Sequence, residues 1–247
     1  AAVERAARLF NRAGDLRFLH VAPQLSDRAN VFHFRLVRST ARVEYLLAVH
    51  AECARRSLLA SPERMRACAS LLHKLRLTGL LPVERVAWAD DRDTLFVIVP
   101  LLSSGSLRDV LRGSAPLDHV EVKRQHVGQP SQSEPAPFFL DVLSTMRLLT
   151  RLGVPLHHLH AGNVLINVDG RPWLDISSAL LGEPPRYAEL QRLFVNRSAH
   201  AVERGAPVDA AVVAFGALLY EFFAGDELES LEQIKNAELL PAFARSV

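Results

Sequence analysis

The stretch Leu156-His157-His158-Leu159-His160-Ala161-Gly162-Asn163-Val164-Leu165-Ile166, followed by Trp173-Leu174-Asp175-Ile176-Ser177, decides how this chain is read. Asn163 and Asp175 stand twelve residues apart, each beside a short apolar run of strand character. Presented from neighbouring short strands, a carboxamide and a carboxylate are hard oxygen ligands, the kind that Mg²⁺ held on nucleotide phosphates takes. The same two side chains also suit plain turn capping. Three histidines, His157, His158 and His160, crowd the stretch, but their spacing fits no common structural zinc site, and Cys53 and Cys68 lie far off in sequence.

On either side of this stretch the sequence reads as helix. Phe139, Val142, Leu143, Met146, Leu149 and Leu152 keep a helical period closed by Gly153, and Ala210 to Ala224 is apolar on nearly all sides, as in a helix buried in a core. Upstream the texture is β. Val31 to Arg38 places Phe32, Phe34 and Leu36 on one face, and Val43 to Val49 is a second apolar run. Leu81 to Trp88 and Leu95 to Val99 are two further strands around the turn residues Asp90 to Asp93. Among them Ser61-Pro62-Glu63 opens a helix whose Met65, Ala69, Leu72, Leu75 and Leu77 stay in period until Gly79. Ser106 caps a short helix ending at Gly113, and Val3, Ala6, Ala7 and Phe10 have helical spacing at the start. Gly113 to Pro137, with four prolines, reads as a flexible insertion. Strands with one helix, a connector and then helices predict an α+β fold with a small β-rich N-lobe and a mainly helical C-lobe.

Composition sets outer bounds. With 247 residues, 49% hydrophobic, the chain has the makeup of a soluble globular protein of one or two domains. No apolar run reaches the roughly 18 residues of a membrane span. A net charge of +2, from 29 basic and 27 acidic residues spread along the chain, argues against a dedicated nucleic-acid surface. Two cysteines without a secretory h-region predict buried free thiols in a reducing, cytoplasmic compartment, with membrane association only through other parts of a parent protein. The opening Ala1-Ala2-Val3, without an initiator Met, reads as a fragment of something longer.

Taken in order, these landmarks resemble the protein kinase fold. Asn163 matches the catalytic-loop Asn, Asp175 the Asp of the DFG motif, and Ser104-Gly105-Ser106-Leu107 the end of the hinge. Ala214-Phe215-Gly216-Ala217-Leu218-Leu219-Tyr220-Glu221 matches the buried central helix of the large lobe, and the likeness covers roughly residues 25 to 225. His158-Leu159-His160-Ala161-Gly162-Asn163-Val164, and Leu174-Asp175 followed by Ser178-Ala179-Leu180-Leu181-Gly182, are most similar to the Slob and PX-domain-containing kinase-like (PXK) group. Its members are mostly described as pseudokinases with scaffolding and trafficking roles. The resemblance implies one domain over 1–247, with an N-lobe over 1–101, a C-lobe over 102–247 and the insertion at 113–137. It also implies ATP and Mg²⁺ or Mn²⁺ as cofactors, with the metal on Asn163 and Asp175. Val99 becomes the gatekeeper, and the backbone around Pro100, Leu101 and Leu102 receives the adenine. Pro100 there offers a carbonyl but no N–H, and Leu102 keeps its donor.

The departures from the kinase pattern bear on function. His158 stands at the position of the catalytic-base Asp, His157 replaces the preceding Arg and His160 the following Lys. A kinase needs a carboxylate at that first position to orient the substrate hydroxyl and take its proton. Residues 15 to 40 hold no glycine, so no glycine-rich loop covers the phosphates. His50 occupies the place of the strand Lys, and its partner position near Cys68-Ala69 is not acidic; Arg35 or Arg38 is the candidate substitute cation. Ile176-Ser177 replaces the Phe-Gly after Asp175, and Ala211 replaces a buried Asp under the catalytic loop, with Asp209 two residues earlier. Ser177, Ser178, Tyr187 and Ser198 are phosphate acceptors by position, yet His157 removes the Arg that would receive the phosphate. The expectation is a pseudokinase that keeps Mg-dependent ATP binding, has little or no phosphotransfer, and works through protein partners as a scaffold or regulatory module. Its competitors are a weak kinase or ATPase using His158 in place of the Asp, and a scaffold that binds no nucleotide.

Overall fold

The computed structural model describes residues 16–21, 31–38, 44–50, 61–88, 94–102, 104–112, 135–182, 209–228 and 233; 16–21 and most of 31–38 are described by backbone alone. Strands β1 (Leu16–Val21), β2 (Val31–Arg38), β3 (Glu44–His50), β4 (Arg85–Trp88) and β5 (Leu95–Pro100) form an antiparallel sheet in the order β1-β2-β3-β5-β4. In β3 the alternation buries Tyr45, Leu47 and Val49 on one face, while Leu46 and Ala48 are half-buried on the other. β5 lies between two strands, and Leu95 through Val99 are buried on both faces, which its unbroken apolar run suits. Leu46 pairs with Val99, Ala48 with Val97 and His50 with Leu95, so these side chains share a face.

Helix α1 (Pro62–Lys74) packs on that face. Ser61 accepts the Arg64 N–H at 3.3 Å, Pro62 sits in the first turn where its missing N–H costs nothing, and Met65, Ala69 and Leu72 face inward. Helix α2 (Leu107–Leu111) starts from a capping box between Ser106 and Asp109. Helix α3 (Ala136–Arg151) buries Phe138, Phe139, Val142, Thr145, Met146 and Leu149. A 3₁₀ turn (Ala161–Asn163) leads into β6 (Val164–Ile166), which pairs with β7 (Pro172–Leu174); α4 (Ser177–Leu180) follows, then α5 (Ala210–Ala224). Phe139 meets Phe138, Phe215 and Phe222 edge to face, locking α3 to α5. One apolar core runs from Val97 and Val99 through Met65 and Leu72 to Leu149, Leu174 and Leu218.

Several details differ from the sequence reading. β1 is a strand in a segment whose apolar residues show no clean alternation; it is an edge strand, held by backbone bonds to β2 with an irregularity between Phe18 and His20. The strand expected from Leu81 begins only at Arg85. Pro82 has no N–H for a ladder, and Leu81 gives its own N–H to the Leu174 carbonyl at 3.0 Å, fastening this segment to β7 instead. Helix α3 opens at Ala136, taking in the last two residues of the expected insertion, because Pro137 is tolerated in a first turn. The helical spacing of Val3 to Phe10 and residues 113–134 of that insertion lie outside the described residues. Cys68 is a free thiol, half-buried, whose pKa is raised by desolvation; Cys53 lies outside the described residues. Among the described residues no helix is long and apolar enough to cross a membrane.

Candidate functional site

Asn163 and Asp175 come together through the β6–β7 hairpin. Val164 pairs with Leu174, and one step beyond this pair the Asp175 N–H donates to the Asn163 carbonyl at 2.8 Å. Local bonds fix the carrying turn. His160 caps it, its Nδ1 accepting the Gly162 N–H at 3.1 Å, and the Asn163 N–H donates to the His160 carbonyl at 2.9 Å. Gly162 is required beside this ring, since a Cβ there would stand 2.9 Å from His160 Cε1. The Asn163 Nδ2 donates to the His158 carbonyl at 2.9 Å, which fixes the amide and leaves Oδ1 without a donor among the described residues. Asp175 Oδ1 accepts the Ser177 N–H at 2.8 Å and the Ser177 hydroxyl at 2.6 Å, starting α4, while Oδ2 takes no donor among the described residues. Each of these two half-buried residues therefore has one hard oxygen with no described donor, on neighbouring strand ends.

The other sequence-derived positions spread around this pair. His158 contributes its carbonyl, while its ring is buried, only 2% of the residue being exposed, and lies 4.8 Å from the ring of His157. Val99 is buried opposite Leu46, and Pro100 pairs with Tyr45. The Leu101 N–H is used by the Glu44 carbonyl at 3.1 Å, whereas the Leu102 N–H meets no acceptor among the described residues. His50 is buried at the far end of β3, about 17 Å along the ladder from the Tyr45–Pro100 pair at the strand rise of about 3.4 Å per residue. Arg35 pairs with Leu46 and Arg38 with Leu16 in the backbone ladder; their side chains lie outside the described set. Ser177 is buried and Ser178 half-buried; Tyr187 and Ser198 fall outside the described residues. Asp209 caps α5 by accepting the Ala211 N–H at 2.8 Å. Among the described residues no three His, Cys, Asp or Glu side chains converge as a metal cluster.

One group escaped the sequence reading. Arg108, on α2, is 6% exposed and grips the 2% exposed Glu221 of α5 with two bonds, Nε to Oε1 at 2.5 Å and Nη2 to Oε2 at 3.0 Å. Glu221 Oε2 also accepts the Ala161 N–H at 3.3 Å, and Glu227 lies 3.2 Å from Arg108 Nη2. Half the signal was visible: Glu221 is the sole charged residue in an otherwise apolar helix, and a buried charge requires a partner. Nothing local points to Arg108, 113 residues away.

No family model and no curated protein matches the chain. Among solved structures it is similar to the crystal structure of Rad53 1-466 in complex with AMP-PNP, with a TM-score of 0.59 over 90% of this chain. The fold is protein-kinase-like. The identity is 13%, so the likeness speaks for the fold alone, and the chain spans about half (52%) of that longer one.

Proposed function

We propose that the chain is a pseudokinase domain of the Slob/PXK type, which binds ATP with Mg²⁺ or Mn²⁺ and acts through protein partners rather than by phosphotransfer. The observation that carries this reading is the apposition of Asn163 and Asp175, with the Asn163 amide fixed by the His158 carbonyl and one open oxygen on each side chain. These donors suit a hard divalent cation, which would offset phosphate charge. The similar Rad53 structure is a complex with AMP-PNP, which supports reading this kinase-like fold as one that takes a nucleotide. Leu102 would offer its N–H to the adenine, with Val99 behind the ring and His50, Arg35 or Arg38 as the cationic candidates for the phosphates. Phosphotransfer is disfavoured because a general base must reach the hydroxyl it deprotonates. At that position stands the ring of His158, which is packed away from solvent.

A thermal-shift titration with ATP, with and without Mg²⁺ or Mn²⁺, tests the proposal. ATP at about 100 times its Kd stabilises a protein by about 2.7 kcal/mol, a rise in Tm of roughly 5–10 °C for a domain of this size. The expected result is a metal-dependent rise that Asp175→Asn removes, with no release of phosphate. No shift under any condition would instead identify a scaffold that binds no nucleotide. Phosphate release abolished by His158→Ala would identify a residual enzyme.

A further inference from the structure

We infer that the buried Arg108–Glu221 pair anchors the loop that presents Asn163, making both positioning residues for the cation and nucleotide; the inference rests on the reading of that site given above. No carboxylate at the start of α5 is described as bonding to the loop. Ala211 has no carboxylate, and the described bond of the Asp209 side chain goes to its own helix cap. The Ala161 N–H, two residues before Asn163, is taken instead by Glu221 at the other end of the helix, about 15 Å further along at 1.5 Å per residue.

The geometry is that of a held acceptor. The two-pronged grip of Arg108 fixes the plane of the Glu221 carboxylate, so that Oε2 both takes Nη2 and faces the Ala161 N–H. Gly162 lies beside this group, where a Cβ would be in ordinary van der Waals contact with Arg108 Nη1 at 3.7 Å. Arg108 is also tied to the segment after Leu102. Ile166 donates to the Gly105 carbonyl at 3.1 Å, and Ser106 forms a β-bridge with Leu165, immediately before α2 begins. The hinge exit and the metal-ligand loop are thus joined at one buried point. Stability alone explains this arrangement poorly, because well-packed apolar residues often replace a buried ion pair at no loss. What apolar residues cannot do is accept the Ala161 N–H.

The test compares the unsubstituted chain with the apolar pair Arg108→Met/Glu221→Leu, and with Arg108→Lys, which keeps the charge but loses the two-pronged grip. Amide hydrogen exchange over 158–163 needs no ligand and is expected to rise about tenfold or more in the apolar pair. The Mg²⁺-dependent part of ATP affinity is expected to fall about 10- to 100-fold, as when the groups that orient a metal ligand are removed, with metal-free ATP affinity unchanged. Unchanged exchange at Ala161 would overturn the anchor. Raised exchange with unchanged Mg²⁺-dependent affinity would overturn the positioning role. If the apolar pair does not fold, Arg108→Lys decides by the same two readouts. If the unsubstituted chain binds no nucleotide, the reading of the site has failed, and exchange alone decides the anchor.

Discussion

Gly79 ends the segment after α1 with φ at +85°, and a Cβ on it would overlap the hydroxyl of Thr145 on α3. Gly79→Ala meets both the left-handed backbone penalty and this overlap, and is expected to cost about 2–4 kcal/mol in urea unfolding. Adding Thr145→Ala should recover most of the steric part and leave the backbone part. Glu63 gives a pH-dependent counterpart at the start of α1. A backbone hydrogen bond, then one with Ser61, lowers its carboxyl below the ordinary Glu value of 4.5. A depressed carboxylate contributes stability above its unfolded pKa and loses it as pH falls through the folded one, so Glu63→Gln should flatten the acid limb of a Tm-against-pH curve below about 4.5. Unchanged acid limbs in the two proteins would refute this. At this scale the two residues of the candidate site were legible: Asn163 and Asp175 stand out as short polar residues beside apolar runs. Their pairing was not, because it rests on backbone bonds across a hairpin, and Arg108 meets Glu221 only after the chain has folded.

The elements divide by how much of their pattern is local. Of the period Phe139, Val142, Leu143, Met146, Leu149 and Leu152 read for helix α3, the structure buries Phe139, Val142, Met146 and Leu149 and leaves Leu143 and Leu152 exposed. Leu149 is fully buried, so Leu149→Ala should cost about 2–5 kcal/mol, whereas Leu152→Ala, at a 54% exposed position just past the helix, should fall within about 0.5 kcal/mol of the parent. Equal losses in chemical denaturation would mean that the inner face is misplaced. Helix α1 was legible through a cap followed by a period, although it ends at Lys74 and not near Gly79, and helix α5 was legible as a run apolar on nearly all sides. The edge strand β1 and the four-residue α4 were not. β1 depends on pairing with a distant segment, and α4 is set by the side chain of Asp175 binding Ser177, too short a device to leave a period.

In the molecule as a whole, a sheet and a set of helices share one core, with the nucleotide site proposed where the segment after β5 meets the β6–β7 hairpin. Sequence order showed strands first and helices after, and the ordered landmarks Ser104 to Leu107, Asn163, Asp175 and Ala214 to Glu221 carried the kinase-like reading. It showed neither Leu80 and Leu81 joining β7 nor the Arg108–Glu221 junction, since both depend on contacts between segments remote along the chain. The central claim is that this frame retains a metal-dependent nucleotide site after losing its catalytic base. Calorimetric titration of ATP into the chain, with Mg²⁺ and with chelator, and repeated in Asn163→Ala and Asp175→Asn, tests it most directly. The account predicts binding that Mg²⁺ strengthens and a loss of that increment, by about tenfold or more, in each variant. ATP binding indifferent to the metal and to both substitutions would contradict it.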